Sequence, residues 1–276
     1  MVKSFTDATT LHNGVKMPWL GLGVWKMAND QEVINAVRSA LETGYRSIDT
    51  AKAYDNEEGV GKGIKESGVK REDIFLTTKV WNSDQGYDWT LEAFEASRER
   101  LGVDYIDLYL IHWPVAGKYK ETWRAMEKIY ADGKVRAIGV CNFHEHHLKD
   151  LMTEAKVKPM VNQIELHPLL NQEPLRAYCK EEGIQVEAWS PLAQGKLLDH
   201  PELKAIGEKY GKSSAQVIIR WDLQNGIVTI PKSSNPERIK QNGNVFDFEL
   251  TNDEMAKIDA LNKNERTGAD PDHFDF

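Results

Sequence analysis

From Ile106 to Phe143 the chain reads I-D-L-Y-L-I-H-W-P-V-A-G-K-Y-K-E-T-W-R-A-M-E-K-I-Y-A-D-G-K-V-R-A-I-G-V-C-N-F. An apolar run rich in β-formers surrounds Leu108 and gives way to a polar loop. Trp123, Met126 and Tyr130 then recur at helical spacing, Gly133 marks a stop, and a second apolar run surrounds Ile138. This strand, loop, helix and glycine unit repeats along the chain. Further strands are expected near Leu20, Ile48, Leu76, Val161, Val186 and Val228, and one apolar helix stripe runs through Val33, Val37, Ala40 and Leu41. Gly44, Gly102, Gly183 and Gly226 fall where other helices should end, as left-handed caps require. Ser213 with Gln216, and Thr251 with Glu254, are spaced as capping boxes that start helices.

Eight strands alternating with helices, roughly every 25 to 40 residues, predict a TIM-type eight-stranded parallel β/α barrel; an open doubly wound sheet uses the same alternation, but the strand count favours closure. Residues 1–276 are read as one barrel domain. Ahead of the first unit, Thr9 to Leu11 and Val15 to Met17 flank His12-Asn13-Gly14, which predicts a β-hairpin at the barrel floor. From Asn262 a polar tail, residues 262–276, ends in Asp-His-Phe-Asp-Phe and could cover the substrate mouth.

The chain has 35 Lys and Arg against 43 Asp and Glu, a formal charge of −8, which argues against a nucleic-acid or polybasic membrane-surface partner. Its 41% apolar residues suit a packed core. No apolar run approaches a membrane span, no secretory leader is legible, and two cysteines, Cys141 and Cys179, offer no disulfide framework. A cytoplasmic protein is the expectation, and the short loops suggest a monomer.

Several motifs fail on inspection. Gly21-Leu22-Gly23 lacks the third glycine of a dinucleotide fingerprint, that position being Lys26. Gly59 to Gly63 contains a Gly-Lys pair without the Ser or Thr of a phosphate loop. Cys141, His144, His146 and His147 are metal-ligand residue types, but adjacent helical histidines should point apart, so no metal is expected.

Chemistry in a β/α barrel belongs at the C-terminal strand ends. There the sequence sets Asp49, Lys79 and His112, each after an apolar run, with Tyr54 on the loop after the second strand. A phenol is a poor acid at neutral pH; a lysine beside it would stabilise the phenolate, and an aspartate would keep that lysine charged. His112 could then position a carbonyl oxygen.

These residues stand in segments that together resemble the aldo-keto reductases over Leu11 to Phe276: G-L-G-V-W at 21–25, S-I-D-T-A-K-A-Y-D-N-E-E at 47–58, the Lys79 strand and L-I-H-W-P at 110–114. I-G-V-C-N-F at 138–143, N-Q-I-E-L-H-P at 162–168, W-S-P-L at 189–192 and I-P-K-S at 230–233 complete the match. The resemblance is closest to the bacterial glyoxal, methylglyoxal and 2,5-diketogluconate reductase branch. It implies NADPH-dependent carbonyl reduction by a tetrad of Asp49, Tyr54, Lys79 and His112, with Tyr54 as general acid. It also implies that Cys141, Asn142 and Gln163 hold the nicotinamide carboxamide, Trp189 stacks on the ring, and Ser190, Leu192 and Gln194 line the pyrophosphate path. Lys232, Ser233, Asn235 and Arg238 would take the 2′-phosphate and Asn242 the adenine. Two cations with neighbouring polar donors suit a phosphate monoester, so NADPH is expected over NADH.

Two positions depart from the family. Cys141 replaces a usual serine, giving a weak donor that could be reactive, and Gln241 replaces an acidic residue before Asn242. Trp25, Trp81 and Trp113 follow strand ends and, with Tyr54 and His112, should wall a pocket for small carbonyls, methylglyoxal-type dicarbonyls and aldehydes foremost. The competing reading is an NADPH-binding regulatory barrel that senses redox state with little turnover.

Overall fold

The computed structural model describes residues 2–276. It opens with an antiparallel hairpin, β1 (Ala8–Thr10) and β2 (Lys16–Pro18). The barrel strands follow: β3 (Leu22–Gly23), β4 (Ser47–Asp49), β5 (Phe75–Val80), β6 (Ile106–Ile111), β7 (Val135–Cys141), β8 (Val161–Glu165), β9 (Gln185–Trp189) and β10 (Val228–Thr229). All pair in parallel, in chain order. Between them lie α1 (Gln31–Thr43), α2 (Glu57–Ser67), α3 (Tyr87–Leu101), α4 (Tyr119–Ala131), α5 (Glu145–Met152), α6 (Glu173–Glu182), α7 (Pro201–Tyr210) and α8 (Ser214–Gln224); α9 (Pro236–Gly243) and α10 (Asn252–Asp259) end the chain's regular structure. Every residue of β5 and β6 is buried, as expected of strands covered on both faces.

The first and last strands meet. Leu20 bridges Thr229 and Gly23 bridges Lys232, both parallel, and the Gly21 N–H donates to the Thr229 carbonyl at 3.0 Å. A Cβ on Gly23 would lie 2.9 Å from the Ile230 carbonyl oxygen, and one on Gly21 would lie 2.9 Å from Ser47 Oγ. The G-L-G motif is therefore the closing seam of the barrel, not a phosphate loop.

The hairpin lies across the strand starts. Thr9 Oγ1 donates to Gln185 Oε1 at 3.0 Å, Asn13 Nδ2 donates to the Arg136 carbonyl at 3.0 Å, and His12 Nε2 lies 3.3 Å from the Pro159 carbonyl. These contacts gather β7, β8 and β9 at the floor, with Met17 fully buried beneath them. The capping boxes at Ser213 and Thr251 are both formed. Gly44, Gly102 and Gly183 cap α1, α3 and α6, whereas Gly133 and Gly226 come one residue after the caps Asp132 and Asn225.

Candidate active site

The opposite face of the barrel collects the ionisable strand ends. Asp49 closes β4, Lys79 is the penultimate residue of β5, and His112 follows β6. Tyr54 is presented by a tight 3-10 turn, Lys52–Tyr54. Asn56 fixes that turn from below: its Nδ2 donates to the Val24 and Met27 carbonyls at 3.0 and 3.1 Å, and its Oδ1 accepts from Thr50 Oγ1 at 2.7 Å. The loop after β4 is thereby tied to the loop after β3.

Lys79 joins the other groups. Its Nζ donates to Asp49 Oδ1 at 2.6 Å, to the Thr50 carbonyl at 3.0 Å and to the Tyr54 hydroxyl at 3.3 Å. Burial alone would pull the Lys79 pKa down, but the Asp49 charge more than offsets it, and the ammonium is held above its ordinary value. Burial pushes the Tyr54 phenol up to about 12, with Lys79 opposing that rise. His112 is pushed well below the ordinary imidazole range, first by burial and then by Lys79, so it is neutral at physiological pH. The four groups predicted from strand ends are brought together, with the Tyr54 and His112 rings 5.7 Å apart.

Across the barrel, Gln163 Nε2 donates to Asp49 Oδ2 at 2.7 Å and to Glu187 Oε2 at 2.9 Å. The Asp49 carboxylate fixes the orientation of this amide, since turning it would set Oε1 against an anion. Gln163 Oε1 accepts only the weak Cys141 thiol, at 3.7 Å. Asn142, at φ 63°, cross-links the mouth: its Nδ2 donates to the His112 carbonyl at 3.0 Å and its Oδ1 accepts the Trp189 indole N–H at 2.8 Å. Cys141 is buried and its pKa is raised by that burial, which argues against a reactive thiolate.

Asp49, Tyr54, His112, Cys141, Asn142, Gln163, Trp189, Ser190, Gln194 and Lys232 line one cavity of about 720 Å³, and Trp25, Trp81 and Trp113 line it too. Trp81 lies 5.1 Å from His112, and Phe276 stacks on Trp81 at 5.9 Å. Phe274 and Phe276 both approach Trp113 at 5.1 Å. Ser190 and Gln194 hold left-handed backbones, φ 52° and 54°. Leu192 is half-buried between them. Beyond β10, Lys232 and Arg238 are exposed while Ser233 and Asn242 are buried. Asn235 is exposed; its Oδ1 accepts the Arg238 N–H at 3.2 Å and caps α9. The helix start, with its N–H groups and two nearby cations, suits a phosphate.

Glu165, Glu187 and Gly268 were not anticipated from sequence. Glu165 Oε1 accepts the Thr267 N–H at 2.5 Å, Thr267 Oγ1 at 2.6 Å and His167 Nε2 at 2.9 Å, anchoring the tail to β8. A Cβ on Gly268 would lie 2.5 Å from the Trp189 ring, so the strand of tail lies directly on the indole. Glu187 is wholly buried, and burial, then the Asp49 charge, push its carboxyl up to about 8. An acid between the apolar Val186 and Ala188 of a barrel strand was the available signal.

The histidine cluster departs from expectation. His146 and His147 do not diverge: their Nε2 atoms lie 2.9 and 3.4 Å from Asp272 Oδ1, and His144 Nε2 lies 3.3 Å from Asp270 Oδ1. The tail supplies acids that draw the rings together. His147 Nδ1 accepts the His144 N–H at 3.1 Å, which leaves the proton of the neutral ring on Nε2 facing the carboxylate. The cluster is a hydrogen-bonded latch for the tail.

A parallel barrel whose mouth holds a buried lysine between a carboxylate and a phenol belongs to the class of barrels built for acid-assisted chemistry on a small ligand. A sequence profile of the Aldo/keto reductase family matches residues 19–263, and the chain belongs to that family. It is 62% identical to the glyoxal reductase of Bacillus subtilis over the full length of both chains. It is 50% identical to the methylglyoxal reductase DkgA of Escherichia coli over 96% of each. A Gox0644 variant crystallised in complex with NADPH superposes with a TM-score of 0.94 over the whole of both chains, at 45% identity.

Proposed function

We propose that this protein reduces small reactive carbonyls, methylglyoxal and glyoxal foremost and aldehydes besides, with NADPH as reductant. The observation that carries this reading is the Lys79 ammonium, seated between Asp49 Oδ1 at 2.6 Å and the Tyr54 hydroxyl at 3.3 Å. The residues present fit the cofactor. Gln163 Oε1 is engaged only by a thiol and is open to a carboxamide N–H, Trp189 is pinned by Asn142 as a flat wall, and Lys232 with Arg238 flanks the α9 start. When bound, NADPH supplies a hydride to the carbonyl carbon.

The chain's own residues manage the oxygen. Neutral His112 and the Tyr54 hydroxyl, at the floor of the cavity, receive the carbonyl oxygen. As negative charge develops there, Tyr54 transfers its proton, and Lys79 stabilises the phenolate left behind. Asp49 keeps the ammonium charged through this exchange. The aromatic walls of Trp25, Trp81, Trp113 and Phe276 exclude water and leave room for small substrates.

The cations at Lys232 and Arg238 support a preference for NADPH over NADH. Short loops and two buried free thiols, Cys141 and Cys179, support a cytoplasmic monomer, and sedimentation at the 31.4 kDa mass of one chain, rather than twice that, in analytical ultracentrifugation would test the latter. Among the described residues no helix is long and apolar enough to cross a membrane. The functional test follows nicotinamide absorbance with methylglyoxal, glyoxal and a panel of aldehydes. Rapid oxidation of NADPH and slow oxidation of NADH are expected; oxidation of neither, with every carbonyl, would refute the reading.

A further inference from the structure

Glu187, in the middle of β9, is a buried acid that the chemistry above leaves unused. Its Oε2 shares a single amide nitrogen with Asp49: Gln163 Nε2 lies 2.9 Å from the one carboxylate and 2.7 Å from the other. Its Oε1 is buried without a hydrogen-bond partner. The ionisable groups facing Glu187 are Asp49 from β4, Lys79 from β5 and the Cys141 thiol from β7. The neighbouring strands present Gln163 and Val228 beside it.

With Asp49 and Glu187 both ionised, this network holds two anions against one ammonium. With Glu187 protonated, it is balanced. An unpartnered buried hydroxyl costs less than an unpaired buried charge, so the neutral carboxyl is the resting form. In that form Glu187 still accepts from Gln163 and keeps Oε1 of the amide turned toward the cleft.

We propose that Glu187 is a positioning residue with a pH-dependent charge: it orients Gln163 toward the nicotinamide carboxamide, and once ionised it favours the oxidised, cationic ring over the reduced, neutral one. The inference rests on the cofactor reading above. It assigns the protein a nucleotide preference that moves from NADPH toward NADP⁺ as pH rises. The upward displacement of the Glu187 carboxyl places that change in the mildly alkaline range.

The test is nucleotide binding rather than turnover. Dissociation constants for NADPH and NADP⁺ are measured by fluorescence titration between about pH 6.5 and 9.5, and their ratio is followed. Ionisation of the 2′-phosphate affects both nucleotides alike and cancels in the ratio. In the wild type, NADP⁺ should gain roughly tenfold on NADPH across this range, the size expected of a unit charge several ångströms away in a partly screened interior. Glu187→Gln keeps the acceptor for Gln163 but cannot ionise, so its ratio should stay flat. Glu187→Leu removes the anchor and should weaken both nucleotides several-fold, with Glu187→Gln restoring affinity. A ratio that shifts equally in Glu187→Gln overturns the proposal, as does wild-type affinity in a folded Glu187→Leu. Failure of the wild type to bind either nucleotide would instead overturn the cofactor reading on which it stands.

Discussion

Replacing Lys79 with methionine separates the stability of the network from its chemistry. The substitution retains most of the side chain's bulk but leaves Asp49 as a buried carboxylate that has lost its 2.6 Å partner. Both side chains are almost wholly buried, 0% and 2% exposed, so solvent does little to compensate. Removing one member of such a pair typically costs about 3–5 kcal/mol, because the remaining charge is stranded. Gln163 Nε2 still donates to Asp49 at 2.7 Å, which places the expectation at the lower end, about 3 kcal/mol. Adding Asp49→Asn removes the stranded charge, and the double variant should recover most of that loss. Activity should not recover, since neither variant stabilises a Tyr54 phenolate; each should turn over roughly 10²–10⁴-fold more slowly than the wild type. Urea denaturation gives the stabilities and nicotinamide absorbance gives the rates. Equal instability of the single and double variants would refute the stranded-charge argument. Recovery of turnover in the double variant would refute the role given to Lys79.

Lys232→Ala and Arg238→Ala should each raise the NADPH dissociation constant about tenfold or more, the worth of one charge-assisted hydrogen bond, and leave NADH binding unchanged; calorimetry with both nucleotides checks this. Gly268→Ala sets a Cβ against the Trp189 ring, so NADPH affinity should fall several-fold while the thermal midpoint moves little, and unchanged affinity would contradict the described contact. Glu187 also predicts a stability profile. Its folded carboxyl keeps a proton that the unfolded chain releases near pH 4.3, so stability should fall as pH rises from there and level off near 8, by a few kcal/mol in total. Denaturant midpoints of Glu187→Gln should lack that component, and parallel profiles for the two proteins would contradict it.

Much of this architecture is legible in the chain because its signals are local. Apolar runs, helical stripes and capping residues each lie within one unit, and the strand-end rule alone gathers Asp49, Lys79 and His112. Gly133 and Gly226 follow their caps by one residue because Asp132 and Asn225 end the helices in ordinary backbone conformations. The less legible features depend on distant partners. Glu187 on β9 matters through Asp49 on the distant β4, and through an amide that spans the interior. The histidines at 144, 146 and 147 converge only because Asp270 and Asp272 return from the far end of the chain. Likewise, the sequence position of Asn235 does not reveal that its Oδ1 caps α9, leaving only its Nδ2 to face a phosphate.

The central claim is that the Tyr54 hydroxyl delivers the proton. Tyr54→Phe removes one oxygen and keeps the ring against His112 and Lys79. Its methylglyoxal-dependent NADPH oxidation should fall at least about 10²-fold, with the NADPH dissociation constant within a few-fold of the wild type. Turnover within a few-fold of the wild type would contradict the account.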